Sequence, residues 1–145
     1  MGLFTSFDIA GSGMSAQRLR SDIIAQNIAN VNSTSSEDGG AYRRKTVVFS
    51  EKNASAFGDI LLQARGYQGS GVKVTSVVED YDTEMNMVYD PSHPDADENG
   101  YVTYPNVNII TEMTNMIDAS RAYEANATAF DAAKAMATRG LQIGQ

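Results

Sequence analysis

The sequence contains no cysteine and no tryptophan. Without thiols it forms no disulfide, no thiolate metal site and no cysteine nucleophile. Basic residues are also scarce: eleven Lys and Arg stand against eighteen Asp and Glu, a net charge of −7. Binding to phosphate needs a clustered basic surface, and the one basic cluster, Arg43-Arg44-Lys45, is too short to supply it. Nucleic acid is therefore excluded as a main partner. No run approaches the roughly 20 apolar residues of a bilayer span, so no direct membrane span is expected. The first residues, MGLFTSFDIAGSGMSAQRLR, lack the charged start and apolar core of a Sec signal.

What is present divides into helix, β-rich middle and helix. Residues 5–31 contain no proline, and Ala10, Met14, Gln17, Ser21, Ile24, Ile28 and Val31 recur in alternating steps of four and three. At about 100° per residue these fall on one side of a helix. Leu19 and Ile23 lie off that row and form a second apolar strip. Residues 106–141 repeat the pattern through Ile109, Met113, Met116, Ser120, Tyr123, Ala127, Phe130, Lys134, Ala137 and Leu141, flanked by Ile110 and Ile117. The stem of Lys134 lies along an apolar surface without breaking the row. Alanine between 119 and 137 favours helix and allows close helix approach.

The middle is of another kind. Residues 33–40 read as a loop by composition. Strands are expected over 42–49 and 72–78, through the alternating Met85, Met87 and Tyr89, and over 101–104. Residues 54–64 have the spacing of a short helix with Phe57, Ile60 and Leu61 inward, and GYQGSG at 66–71 is a turn-rich break. Two long amphipathic helices, about 40 to 50 Å each, present more apolar edge than so small a β-module covers. Packing among like copies in a helical array resolves this, since head-to-tail interfaces that do not close make filaments.

Chemical motifs are weak. DADENG at 95–100 imitates the opening of an EF-hand calcium loop, but the twelfth position is Asn106 where a bidentate Glu is needed. Pro91 and Pro94 also break the helix that should lead in, so a structural turn is the better reading. His93, the only histidine, sits between prolines and has no second His or Cys to complete a metal site. No catalytic residue, cofactor site or metal site is expected, and the chain does not read as an enzyme.

One further constellation carries information. QNIANVNST at 26–34 closes the first helix with Asn side chains that bond freed main-chain groups. Residue chemistry alone divides evenly between an ordinary polar terminus and a special one. The stretch resembles the helix-end segment of the flagellar axial family, the rod, hook and hook-associated proteins, with Ser33 separating Asn32 from Thr34. GGAYRRKTVVF at 39–49, GVKVTSVVED at 71–80, YDPSHPDADENGYVTYPNVNIITEM at 89–113 and SRAYEAN at 120–126 are similar, in order, to segments of the proximal-rod branch of that family, with Ala41 where Pro is usual.

The resemblance implies an α+β fold whose N- and C-terminal long helices pair as the coiled-coil layer of a tube, with a small β-rich middle module outside. The divisions expected are 1–33 for the first helix, 34–105 for the β-rich module and 106–145 for the second helix. It further implies a structural subunit of the basal-body proximal rod, transmitting torque. Partners would be other copies of itself, neighbouring rod proteins, the rod-base adaptor and the flagellar type III export apparatus, which delivers it to the periplasm or cell wall. Asn27, Ala29, Asn30, Asn32 and Thr34 would form the helix-terminus motif. Met14, Ile24, Ile28, Met113, Met116, Tyr123 and Phe130 would form the assembly interface. The rival readings are another axial protein, either proximal-rod protein B or a distal-rod protein, and a small calcium-binding module.

Overall fold

The computed structural model describes residues 3–36, 39–52, 61, 64 and 71–143. Helix α1 spans Leu3–Ala29 and helix α2 spans Ile109–Ile143. Between them lie β1 (Lys45–Glu51), β2 (Val72–Glu79), β3 (Asn86–Tyr89) and β4 (Tyr101–Tyr104), paired as two antiparallel ribbons, β1 with β2 and β3 with β4. This is the α+β arrangement expected. Its third strand starts one residue late. Its first strand starts at Lys45, not 42, because Tyr42 and Arg44 are turned to another use described below. The short helix expected over 54–64 lies outside the described residues apart from Leu61 and Ala64, and Leu61, read as inward, is exposed.

The helices run antiparallel. Phe7 meets Phe130 edge-on with ring centroids 4.9 Å apart, and Asn27 reaches Glu112 at the other end. Midway, a Cβ added to Gly13 would lie 2.6 Å from the Asn126 amide oxygen, so the Asn126 side chain would have to move to admit any larger residue. The α2 seam is thus built from small and polar residues: Glu112, Ala119 and Ala133 are buried, with Asn115, Ala122 and Asn126 half-buried between them. It falls one position away from the Met and Tyr row expected from hydrophobic periodicity. Small side chains win the seam because they let the backbones close. Met113 and Tyr123 are left facing outward.

The second apolar strip of α1 also finds its neighbour. Ile23 is buried, and with Ile24 it lines a cavity of about 330 Å³ shared with Thr46, Val47 and Phe49 of β1. Gly71, at φ +101°, lies against Ser12 and Ile9, and the Ser12 hydroxyl accepts the Val72 N–H at 3.1 Å. The β1–β2 ribbon is thereby fastened to α1 at its Glu51–Val72 end. Helix α2 begins on a regular cap: Asn108 Oδ1 accepts the Ile110 and Thr111 N–H groups at 3.0 and 3.2 Å, an arrangement that contributes about 1 kcal/mol. That cap, and not Asn106, sets the start of the helix.

Candidate functional site

The motifs that carry the sequence resemblance meet at one buried polar junction. Asn27 is fully buried on the last turns of α1. Its amide nitrogen donates to the Lys45 carbonyl and to Glu112 Oε2, both at 2.8 Å. Its oxygen accepts the Lys45 N–H and the Tyr42 hydroxyl, both at 2.9 Å. An amide offers two donors and two acceptor sites, and all four are used. An apolar side chain here would leave the Lys45 N–H without the acceptor and its carbonyl without the donor that Asn27 supplies.

Glu112 is the second half of the junction, 0% exposed in the first turn of α2. The helix dipole favours a carboxylate there. Its Oε1 accepts both Arg44 Nε and Nη2 at 2.9 Å, while Oε2 takes Asn27 and Asn115 adds a longer bond at 3.3 Å. Arg44 in turn lies 3.7 Å from Asp80, and its backbone N–H donates to Asn106 Oδ1 at 2.9 Å. The Asn106 amide nitrogen donates to the Asp80 and Thr83 carbonyls at 3.0 and 3.1 Å. One connected set of bonds therefore joins α1, β1, the turn after β2 and the start of α2.

One guanidinium, Arg44, faces two carboxylates in this set, Glu112 and Asp80. Burial, then the negative charges of Glu79 and Glu112, push the Tyr42 phenol above its ordinary 10.0. Hydrogen bonds from Thr83 hold the Asp80 carboxyl below 3.8, with Arg44 helping. Both Glu112 oxygens are engaged by side chains of the junction, Oε1 by Arg44 and Asn115 and Oε2 by Asn27. The arrangement locks elements together and offers no nucleophile or general base to a substrate. Among the described residues no group of three His, Cys, Asp or Glu side chains is placed to hold a metal ion. In the 95–100 loop, Asp97 Oδ1 accepts the Asn99 and Tyr101 N–H groups and Asp95 accepts the Thr34 hydroxyl at 2.7 Å, so these carboxylates serve the turn. His93 accepts the Asp95 N–H through Nδ1, which makes it a turn element too.

The other expected residues divide sharply. Asn30 bonds back to the Gln26 carbonyl and receives the Ser33 hydroxyl, closing the end of α1. Thr34 ties that end to the β3–β4 loop. Ala29 and Asn32 are exposed. Ile24 is buried within its own chain, Met14, Ile28, Met116 and Phe130 are half-buried, and Met113 and Tyr123 are exposed. Tyr42, Arg44, Asn106 and Glu112 were not singled out by sequence as a site, because a search for apolar rows passes over a polar residue on a buried face. A charged Glu between Thr111 and Met113, at the mouth of an amphipathic helix, was the available signal.

Residues 7–35 match the family described as Flagella basal body rod protein, and residues 98–143 match Flagellar basal body rod FlgEFG protein C-terminal. Both halves of the junction's helix pair thus fall in the class of flagellar basal-body rod proteins. The whole chain is 43% identical over 152 residues to the flagellar basal-body rod protein FlgC of Borreliella burgdorferi, covering 100% of this chain and 99% of that one. It is 40% identical to the FlgC of Bacillus subtilis and 43% identical to that of Salmonella typhimurium, each covering 100% of both chains. The chain belongs to the FlgC family of flagellar basal-body rod proteins.

The junction predicts a specific energetic pattern. Glu112→Ala leaves the buried Asn27 amide short of an acceptor and the half-buried Arg44 with Asp80 as its remaining ion-pair partner, and lowers stability by about 1–3 kcal/mol. Arg44→Met with Glu112→Leu costs less than the two single changes added together, since neither charge is then stranded. Urea unfolding of the purified chain checks both, and additive losses would show that the two side chains act independently. For pH, Tyr42 is the group to follow. Its folded pKa is raised, so its contribution is complete below 10.0 and is lost as pH rises through the folded value. Phenolate absorbance should show one tyrosine titrating late and unfolding accompanying it, both absent from Tyr42→Phe.

Proposed function

We propose that the chain is a structural subunit of the proximal rod of the flagellar basal body, working as a mechanical part of the drive shaft and not as an enzyme. The observation that carries this reading is the outer face of α2. Met113 and Ile117 are 57% and 55% exposed, with Ile110 and Tyr123 also bare, next to a junction that fixes the helix pair rigidly to the β-ribbons. Large side chains left wet forgo about 1.5–3 kcal/mol each that burial would return. Neighbouring subunits supply that burial in an assembled tube.

Of the seven interface residues expected from the sequence, Met113 and Tyr123 are the ones free to meet a neighbour. Ile24 serves assembly indirectly, by fixing the helix pair. The β-rich module between the helices is proposed to lie on the outer side of the tube, with divisions near residues 33 and 105. Partners are other copies of this chain, adjacent rod proteins and the rod-base adaptor. Delivery through the flagellar type III export system to the periplasm or cell wall fits a chain that is easily unfolded. Among the described residues only eight apolar side chains are buried, and four of them are alanine. Neighbours that bind the folded chain would stabilise it after assembly.

Met113→Asp with Ile117→Asp is the direct test, because both positions are exposed and the chain should still fold. Cells carrying only this variant should export the protein yet lack completed rods in isolated basal bodies, and should not swim. Normal swimming with the variant incorporated would count against the reading.

A further inference from the structure

The cavity of about 330 Å³ between α1 and β1 holds more positive charge than the junction beside it uses. Three cations line it, Arg20, Arg44 and Lys45, against one carboxylate, Glu112. Two of the cations are already engaged, Arg44 by Glu112 and Asp80 and Lys45 by Glu79. Arg20 is not. It is half-buried, and among the described residues it has neither an ion pair nor a hydrogen bond. A guanidinium in that position gives up hydration and receives no acceptor in return.

Two further features share the cavity. Asn115 commits its amide nitrogen to Glu112 at 3.3 Å, whereas its oxygen bonds to no other described group. The rest of the lining is largely apolar, with Ile23 and Ile24 from α1 facing Val47 and Phe49 from β1. A planar donor fork, a hydrogen-bond acceptor and an apolar surface thus surround one small space.

We propose that this cavity binds the carboxyl-terminal residue of a partner polypeptide, one that ends in an apolar amino acid. Such a residue carries all three complements. Its carboxylate pairs with Arg20, the geometry for which a guanidinium is best suited. Its backbone N–H donates to the Asn115 oxygen, and its side chain packs on Ile23, Val47 and Phe49. A dianionic phosphate is a poorer match, because Glu112 lies in the same wall and repels the second charge. The space is at the small end of ligand sites, which run from about 300 to 1,000 Å³, so it takes a single residue and not a helix. The positive charge of Arg20 is also distinctive in a molecule whose net charge is −7. The site uses none of the bare side chains on the outer face of α2, and it stands independently of the rod-subunit reading.

N-acetyl-leucine carries all three features, and N-acetyl-leucinamide lacks only the charge. Each is titrated into the purified full chain, with the methyl NMR signals of Ile23, Ile24 and Val47 as readout. The carboxylate should shift these signals saturably, and the amide should bind about tenfold or more weakly, the loss expected for one charge-assisted contact. Arg20→Met should lose the same factor, and Arg20→Lys should recover part of it. A short peptide ending in leucine should bind at least as tightly as N-acetyl-leucine. The proposal is overturned by equal binding of the two leucine probes, by shifts confined to other residues, or by undiminished binding to Arg20→Met. Acetate or inorganic phosphate binding as tightly as N-acetyl-leucine would also overturn it, as would exclusion of the peptide. Should Arg20→Met fail to fold, the two leucine probes on the unaltered chain decide alone.

Discussion

A carboxylate buried at the mouth of a helix organises this molecule. Glu112 has no access to water, and a charge in that position is stable only when its partners are all in place. Those partners come from three separate segments: Asn27 from α1, Arg44 from the start of β1, and Asn115 from its own helix. Asn27 and Arg44 can be supplied only if the helices pair in this register and the β1–β2 ribbon lies across them. The junction therefore contributes less as net energy than as a condition: the wrong register leaves a charge stranded.

That condition suits a part in a shaft. Two helices joined only by small residues would slide, since a seam built on Ala119, Ala133 and Gly13 has little to mark one register from another. The saturated amide of Asn27 removes that freedom at one end, and the Phe7–Phe130 contact limits it at the other. Apolar residues that a self-sufficient domain would bury are thereby released to the outer face of α2. Intrachain packing is economical, and larger side chains such as Met113 and Ile117 remain exposed.

The sequence disclosed the large features and hid the joinery. Helix extents, the four strands and the turn at 95–100 were legible because each has a local signature: a heptad-like row, alternating β-branched residues, or Asp and Gly at turn positions. The α2 seam was misread by one position. Hydrophobic periodicity points to Met113, Met116 and Tyr123, whereas close approach selects alanine and polar residues beside them. The junction itself could not be read locally, because Asn27, Arg44, Asn106 and Glu112 are scattered over 85 residues and become a site only when folded. Asn27 alone was flagged, through the resemblance at 26–34. The strand expected from 42 was shortened because Tyr42 and Arg44 give their side chains to the junction before the ladder begins.

Hydrogen exchange of the Lys45 amide tests the central claim most directly. Its N–H is held by the side chain of Asn27 and not by a neighbouring strand. If the junction joins helices and ribbon into one unit, this amide exchanges with the same opening free energy as the interior amides of α1, and Asn27→Ala lowers both together. Fast exchange at Lys45 while α1 remains protected would mean that the ribbon opens alone, and the account would be wrong.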